Sequence, residues 1–292
     1  MSLEQSNPLV TVYIPTFNRV ELLKRAVESV RQQTHQNLEI IIVDDCSTDH
    51  THEYLEEIAK QDSRIRYFIK EKNSGACVSR NIAIENAKGE FITGLDDDDY
   101  FLKDRIEIFI KKVFLLEKYS ALCSSYLIKR PKKTKITRTI LSYFLPNEIN
   151  FSDMLIANFI GNQIFTYTYR LKRYKFNTKL AMWQDLYCWM NLIKKSGKKI
   201  YKIKEANYIV DVSHPHERIS KNRDKKVIQV YNIFCNDFLL DKRQQDILFL
   251  QTVNYGVKIN LIRHLKFLIT YPRFYLFLIF LSRMKIYFFN VL

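Results

Sequence analysis

Apolar and polar positions follow two periods in alternation along the first third of the chain. Leu9–Ile14 is a β-branched run stopped by Pro15, and Leu23, Ala26, Val27 and Val30 then recur at helical spacing. Leu38–Val43 is a continuous apolar run of the kind a buried parallel strand carries. It ends in Asp44-Asp45, after which Ser47 or Thr48 can cap a helix with Leu55, Ile58 and Ala59 on its apolar face. Ile65–Ile69 predicts a third strand, Ala76–Ala87 a third helix and Phe91–Leu95 a fourth strand. This βαβαβαβ order predicts an α/β fold with a parallel, doubly wound sheet. Ligands bind such sheets at the carboxyl ends of the strands. Pro15–Arg19, Asp44-Asp45 and Asp96–Asp99 all follow strand ends and are therefore expected to converge on one crevice.

The pattern is less regular afterwards. Leu102–Glu117 predicts a helix, Ala121–Ile128 a strand and Gln163–Tyr169 another strand. Leu186, Trp189, Met190 and Ile193 mark a helix that begins just after Asp185, and Lys199–Val212 resembles two short strands. Lys129–Arg138 (KRPKKTKITR) holds six basic residues and no acid, the signature of a solvated loop. No internal repeat or low-complexity linker separates the halves.

The chain has 292 residues, enough for one large domain or two smaller ones. Its formal charge is +15 (46 basic against 31 acidic), which calls for an anionic partner or surface without saying which. Where the charge lies says more. No carboxylate follows Asp246, while Lys258, Arg263, Lys266, Arg273, Arg283 and Lys285 remain among apolar runs such as Phe274–Leu281 and Ile286–Phe289. An eight-residue apolar run is too short to span a bilayer. A basic, aromatic-rich segment suits the interface of an anionic membrane instead; a helix packed on the core is the competing reading. No secretion signal is expected from MSLEQSNPLV, and the five scattered cysteines form neither a zinc motif nor a disulfide framework, which fits a reduced, cytosolic setting.

Four consecutive aspartates, Asp96–Asp99, end the apolar run EFITGL. Their mutual repulsion is relieved if they fan into water or surround a cation, and a hard divalent ion such as Mg²⁺ or Mn²⁺ leaves room for substrate phosphates. One aspartate could simply cap a helix near Leu102; four after an apolar run favour a metal. Asp45 could accept a hydrogen bond from a base imide or a sugar hydroxyl, or cap the next helix. Asn73-Ser74-Gly75 opens a turn before the helix bearing Arg80 and Asn81, and a helix start with an arginine one turn in suits an anion. Asp185, among bulky neighbours, is either a cap or a functional base. His214-Pro215-His216 could contribute a metal or phosphate ligand.

The ordered set VYIPTFNR (Val12–Arg19), VDDCSTD (Val43–Asp49), N-x-G-x-x-x-S-R-N (Asn73–Asn81), LDDDD (Leu95–Asp99), Gln184-Asp185 and a late histidine resembles the family 2 glycosyltransferases. The resemblance is close over about the first 105 residues and thinner to about Ser220. It implies the GT-A fold, a Rossmann-like nucleotide-binding half joined to an acceptor half through one continuous mixed sheet flanked by helices, with a C-terminal helical extension. The expected division is 1–104 for the nucleotide-sugar half and 105–225 for the acceptor half with the base, with 226–292 a helical extension that its basic, aromatic-rich tail, not the resemblance, marks as membrane-associating. The resemblance further implies that Pro15, Thr16, Phe17, Asn18, Arg19, Asp44 and Asp45 line the nucleoside, with Asp45 facing the base. Asn73, Gly75 and Arg80 would lie near the sugar-phosphate. The D-x-D element falls on Asp96 and Asp98, with Asp97 as a shifted alternative. Asp98 and His216, the latter ahead of His214, would hold Mn²⁺ or Mg²⁺. Asp185 would be the catalytic base, although Gln184 stands where the family often has Glu.

The expected activity is inverting transfer from a UDP-sugar to a lipid-linked saccharide acceptor in surface-polysaccharide synthesis, at the cytoplasmic face of the inner membrane. A nucleotidyltransferase would carry a glycine-rich loop where this chain reads PTFNR. A nucleic-acid-binding protein would leave the acidic crevice unexplained, so no nucleic acid is expected. An inactive scaffold would not need every carboxylate kept.

Overall fold

The computed structural model describes residues 7–131, 146–161, 163–214 and 223–257. The basic stretch from Lys132 to Arg138, His216 and the basic-aromatic tail from Lys258 onward lie outside the described residues.

Strand β1 (Val10–Thr16) lies between β2 (Leu38–Asp44) and β4 (Phe91–Gly94), and β3 (Ile65–Ile69) flanks β2, all in parallel. Every residue of β2 is buried, as its unbroken apolar run predicts. Side chains alternate between faces. Tyr13, Ile41 and Val43 enter one hydrophobic cluster, while Val12, Ile14, Ile40 and Ile42 enter the other. Helices α1 (Val20–Arg31) and α2 (Thr51–Gln61) cover the second cluster through Leu23, Val27, Val30 and Leu55. Helix α3 (Ala76–Asn86) covers the first through Cys77, Ala83 and Ile84. The buried Glu39 of β2 is tolerated because Thr11 Oγ1 (2.7 Å), Arg66 Nη1 (2.6 Å) and the Lys88 amide (2.8 Å) all donate to it.

The expectation of a wholly parallel sheet holds only for these four strands. The sheet runs β3-β2-β1-β4 and then continues through β8 (Phe165–Tyr167), β6 (Ala121–Lys129), β9 (Ile200–Asp211) and β5 (Tyr100–Phe101). With β7 (Glu148–Ile149) against β9 it has nine strands among the described residues. Strand β8 is antiparallel to both β4 and β6, whereas β6 and β9 are parallel and β5 is antiparallel to β9. This is the mixed sheet that the family resemblance implied.

Several boundaries move for physical reasons. Strand β1 continues through Pro15 to Thr16 because its pairing with β4 ends at Tyr13, so the missing proline N–H faces a side with no partner strand. Ser47 and Thr48 do not cap α2; Asp49 accepts from the amides of both Val20 and Thr51, tying the starts of α1 and α2 together. The expected helix at Leu102–Glu117 divides into α4 (Arg105–Ile110) and a 3₁₀ turn at Val113–Glu117. The strand expected at Gln163–Tyr169 shortens to β8, followed at once by α6 (Thr168–Arg173). The two short strands expected at Lys199–Val212 are one twelve-residue strand, β9, whose register against β6 slips around Ser125.

Helices α5 (Phe151–Ile156), α7 (Gln184–Ser196), α8 (Arg223–Asp237) and α9 (Lys242–Phe249) join the first cluster. Trp189 at its centre is wholly buried, and truncating such a side chain costs about 3–5 kcal/mol. Val227, Val230 and Phe234 of α8 are buried there too. Among the described residues no helix is long and apolar enough to cross a membrane.

Candidate functional site

The four aspartates leave β4 in an alternating arrangement that their sequence could not reveal. Asp97 and Asp99 are buried and turned into the protein. Asp97 accepts from Thr16 Oγ1 at 2.9 Å and Arg19 Nη1 at 3.2 Å. Burial pushes its carboxyl up to about 6, although Arg19 opposes the shift. Asp99 accepts from the Tyr208 hydroxyl at 2.8 Å and the Asp211 amide at 3.0 Å, which locks the run onto β9; burial raises its pKa as well. Neither acts as the cap of a helix near Leu102. Asp96 and Asp98 are partly exposed, and with the buried Asp99 they line a cavity of about 560 Å³.

Polar groups lie at one end of that cavity. Asp96 Oδ1 accepts from Arg80 Nη2 at 3.0 Å and Gln163 Nε2 at 3.1 Å. Asp98 Oδ2 lies 3.2 Å from Arg19 Nη1 and 3.5 Å from His214 Nε2. Tyr126, Ile128, Val210 and Val212, from β6 and the end of β9, supply apolar lining to the same cavity. The approach to the aspartates is close: a Cβ on Gly94 would come within 2.4 Å of the Tyr13 ring and 2.1 Å of Gln163 Oε1, so only glycine fits there.

The loops after β1 and β2 interlock. Asn18 takes a left-handed conformation (φ 51°). Its Oδ1 accepts from the Thr48 amide at 2.7 Å, and its own amide donates to Ser47 Oγ at 2.8 Å. Asp44 is wholly buried, held by the Ser47 amide and His52 Nε2 at 2.9 Å each, so it shapes the crevice from behind. Asp45 does not cap the next helix. It takes the Ser74 and Gly75 amides at 2.8 Å each and pairs with Lys70, fixing the start of α3. Phe17 is 40% exposed beside Pro15 and Thr16, and Asn73 is exposed at the rim.

Asp185 is likewise not a cap. It lies in the first turn of α7, whose preceding residue, Trp183, is left-handed (φ 55°). Asn158 Nδ2 donates to Asp185 Oδ2 at 2.8 Å; Asn158 lines the cavity and Asp185 stands behind it. Burial raises the Asp185 carboxyl, with Arg80 opposing. Arg80 joins the two centres, since its Nη1 donates to Gln184 Oε1 at 3.0 Å while its Nη2 holds Asp96. Gln184 thus gives Arg80 a neutral acceptor.

Among the described residues no three His, Cys, Asp or Glu side chains converge as a ready metal site. Asp98 nonetheless offers a carboxylate oxygen of the kind that would hold a hard divalent cation, with the His214 imidazole 3.5 Å from it as a second candidate ligand. His214 is the histidine brought to Asp98; His216, the preferred candidate in the sequence, lies outside the described residues. Lys70, Asn158, Gln163 and Tyr208 were missed from sequence. No local signal marks them, because each reaches the site from a strand or loop whose neighbours are set by long-range pairing.

A family model described as "Glycosyl transferase family 2" matches residues 11–180. The chain is 34% identical over 223 residues to WcaA of Escherichia coli, assigned as a glycosyl transferase of colanic acid biosynthesis. That match spans 76% of this chain and 78% of WcaA. It is 31% identical over 196 residues to the GalNAc(5)-diNAcBac-PP-undecaprenol beta-1,3-glucosyltransferase of Campylobacter jejuni, spanning 67% of this chain and 63% of that one. Among solved structures, a fragment of S. aureus TarS in complex with UDP-GlcNAc superposes with a TM-score of 0.64 at 19% identity, over 85% of this chain and 72% of that one.

Proposed function

The chain belongs to glycosyl transferase family 2 and has the GT-A fold, and from that premise we propose that it moves a sugar from a UDP-sugar to an acceptor hydroxyl with inversion. The observation that carries the reading is the alternation at the end of β4. Asp96 and Asp98 are the partly exposed pair on the cavity, while Asp99 beside them is buried and bound to Tyr208 and the Asp211 amide. Arg80 links Asp96 to the first turn of α7, which carries Asp185. Pro15, Thr16, Phe17, Asn18, Arg19, Asp44 and Asp45 form the nucleoside cradle around that point, with Asn73 and Gly75 beside Arg80 on the sugar-phosphate side. Asp96 and Asp98 make the D-x-D pair, with Asp98 and a histidine, His214 or His216, as the ligands of Mn²⁺ or Mg²⁺. When bound, the cation compensates charge on the departing diphosphate.

The chain's own groups do the rest. Arg80 holds Asp96 and orients it toward the donor. Asp185 takes the proton from the acceptor hydroxyl as that oxygen attacks the anomeric carbon, with the nucleoside diphosphate leaving on the opposite face. A single carboxylate is enough for this proton transfer, and an α-linked donor gives a β-linked product. The apolar lining from Tyr126, Ile128, Val210 and Val212 excludes water on the acceptor side.

The names of the relatives support a lipid-linked acceptor in surface-polysaccharide synthesis. That acceptor suits a division into a donor half at 1–104, an acceptor half at 105–225 and a membrane-associating extension at 226–292. The protein would then work at the cytoplasmic face of the inner membrane, without nucleic acid. Calorimetric titration with UDP, with and without Mn²⁺, followed by a hydrolysis screen of UDP-sugars, tests the assignment. Metal-dependent UDP binding abolished by Asp98→Ala is the expected result. No binding of UDP, GDP or TDP under either condition would overturn it.

A further inference from the structure

A single nitrogen of Arg19 holds two members of the aspartate run. Its Nη1 lies 3.2 Å from Asp97 Oδ1 and 3.2 Å from Asp98 Oδ2. That same Asp98 oxygen is the one facing His214 Nε2 at 3.5 Å. The atom best placed to be shared with a divalent cation is therefore already engaged by a guanidinium, and two cations on one carboxylate oxygen repel each other. Asp97 does not depend on Arg19 alone, since Thr16 Oγ1 donates to its other oxygen at 2.9 Å. The Arg19 side chain is 24% exposed, so leaving Asp98 requires no unpacking of the core. Its Nε and Nη2 donate to no protein atom among the described residues. A guanidinium fork in that state matches the paired oxygens of a diphosphate.

We propose that Arg19 is the resident counter-ion of the donor site. It holds Asp98 while the site is empty, yields that carboxylate to the divalent cation, and turns its unused fork to the diphosphate of the incoming nucleotide. The proposal rests on the metal-dependent donor reading above and adds to it an order of events. A cation arriving alone must displace Arg19 from Asp98 and leave the guanidinium with Asp97 and no second partner in exchange, so it binds weakly. A cation arriving with the diphosphate gives Arg19 a new partner, so each ligand strengthens the other, reciprocally.

The test measures three affinities in wild type, Arg19→Gln and Arg19→Lys: Mn²⁺ alone by the electron paramagnetic resonance of free Mn²⁺, and UDP with and without saturating Mn²⁺ by calorimetry. In Arg19→Gln, Mn²⁺ alone is expected to bind about two- to fivefold more tightly, the strength of a partly exposed ion pair. UDP in the presence of Mn²⁺ is expected to bind at least about tenfold more weakly. Arg19→Lys keeps the charge and loses the fork, so Mn²⁺ alone stays weak and UDP affinity is only partly recovered. A purely structural role would weaken both ligands together and lower the melting temperature. A plain phosphate contact would leave Mn²⁺ alone unchanged. Either result overturns the proposal while the donor site stands. Wild-type protein that binds no UDP with Mn²⁺ present would overturn both.

Discussion

Asn158 Nδ2 donates a hydrogen bond of 2.8 Å to Asp185 Oδ2, joining the residue that lines the cavity to the carboxylate behind it. The bond favours the ionised carboxylate, against a burial that raises its pKa. In the proposed role of base Asp185 would act only when ionised, so turnover should fall as pH drops through that raised value. Asn158→Ala removes a donor to the charged form and raises the pKa further. The acid limb of the kcat/KM profile is then expected to move to higher pH. An unmoved limb with lower activity at every pH would reduce Asn158 to a packing role.

Asp185→Asn keeps the shape and removes the base. Turnover should fall by a factor on the order of 10²–10⁴ while UDP affinity is kept. Calorimetry and initial rates on the same preparation separate the two. Near-normal turnover would remove Asp185 from the mechanism.

Asp97 predicts a pH dependence of stability with a definite sign. Its folded pKa is pushed up to about 6, above the ordinary value of about 4. The folded protein therefore binds the proton more tightly than the unfolded chain. The contribution is fully present below about pH 4 and is lost as pH rises through about 6. Asp97→Asn should lie close to wild type at pH 4 and gain on it by up to about 2–3 kcal/mol by pH 7. Thermal melts across that range check it; a constant difference would contradict the raised value. The lowered carboxyl of Asp62 works in the opposite sense, but below about pH 4.

Asp45→Ala should be costly before any substrate is considered. Lys70 and Asp45 side chains are 8% and 6% exposed, and the carboxylate also satisfies the Ser74 and Gly75 amides. Removing one partner of a buried pair costs about 3–5 kcal/mol. Urea denaturation measures this, and a loss below about 1 kcal/mol would mean that Lys70 reaches water instead.

The donor half was legible because each of its strands is written in consecutive residues, and its helices bury faces at regular spacing. Leu38–Val43 is buried from end to end, and Leu23, Ala26, Val27 and Val30 are the buried face of α1. The acceptor half was not legible in the same way. Strand β8 has only three residues and exists because β4 and β6 lie on either side of it. The residues steadying the carboxylates were hidden for the same reason: Tyr208 reaches Asp99 across 109 positions of sequence. The four aspartates read correctly as a cluster, but which of them faces the cavity depends on where β4 ends and β9 passes.

The seam between β4 and β8 consists of three residue pairs, Phe91 with Tyr167, Ile92 with Thr166 and Thr93 with Phe165. Phe165 stacks on Phe91 at 5.4 Å and on Phe109 at 4.9 Å, so the seam is riveted by rings as well as by backbone. The seam does not stand alone, because β5 pairs with β9 and Asp99 reaches Tyr208 and the Asp211 amide. A change at the ring stack would therefore be felt at the carboxylates, since the strand that fixes one edge of the sheet's second part also ends where the aspartates begin.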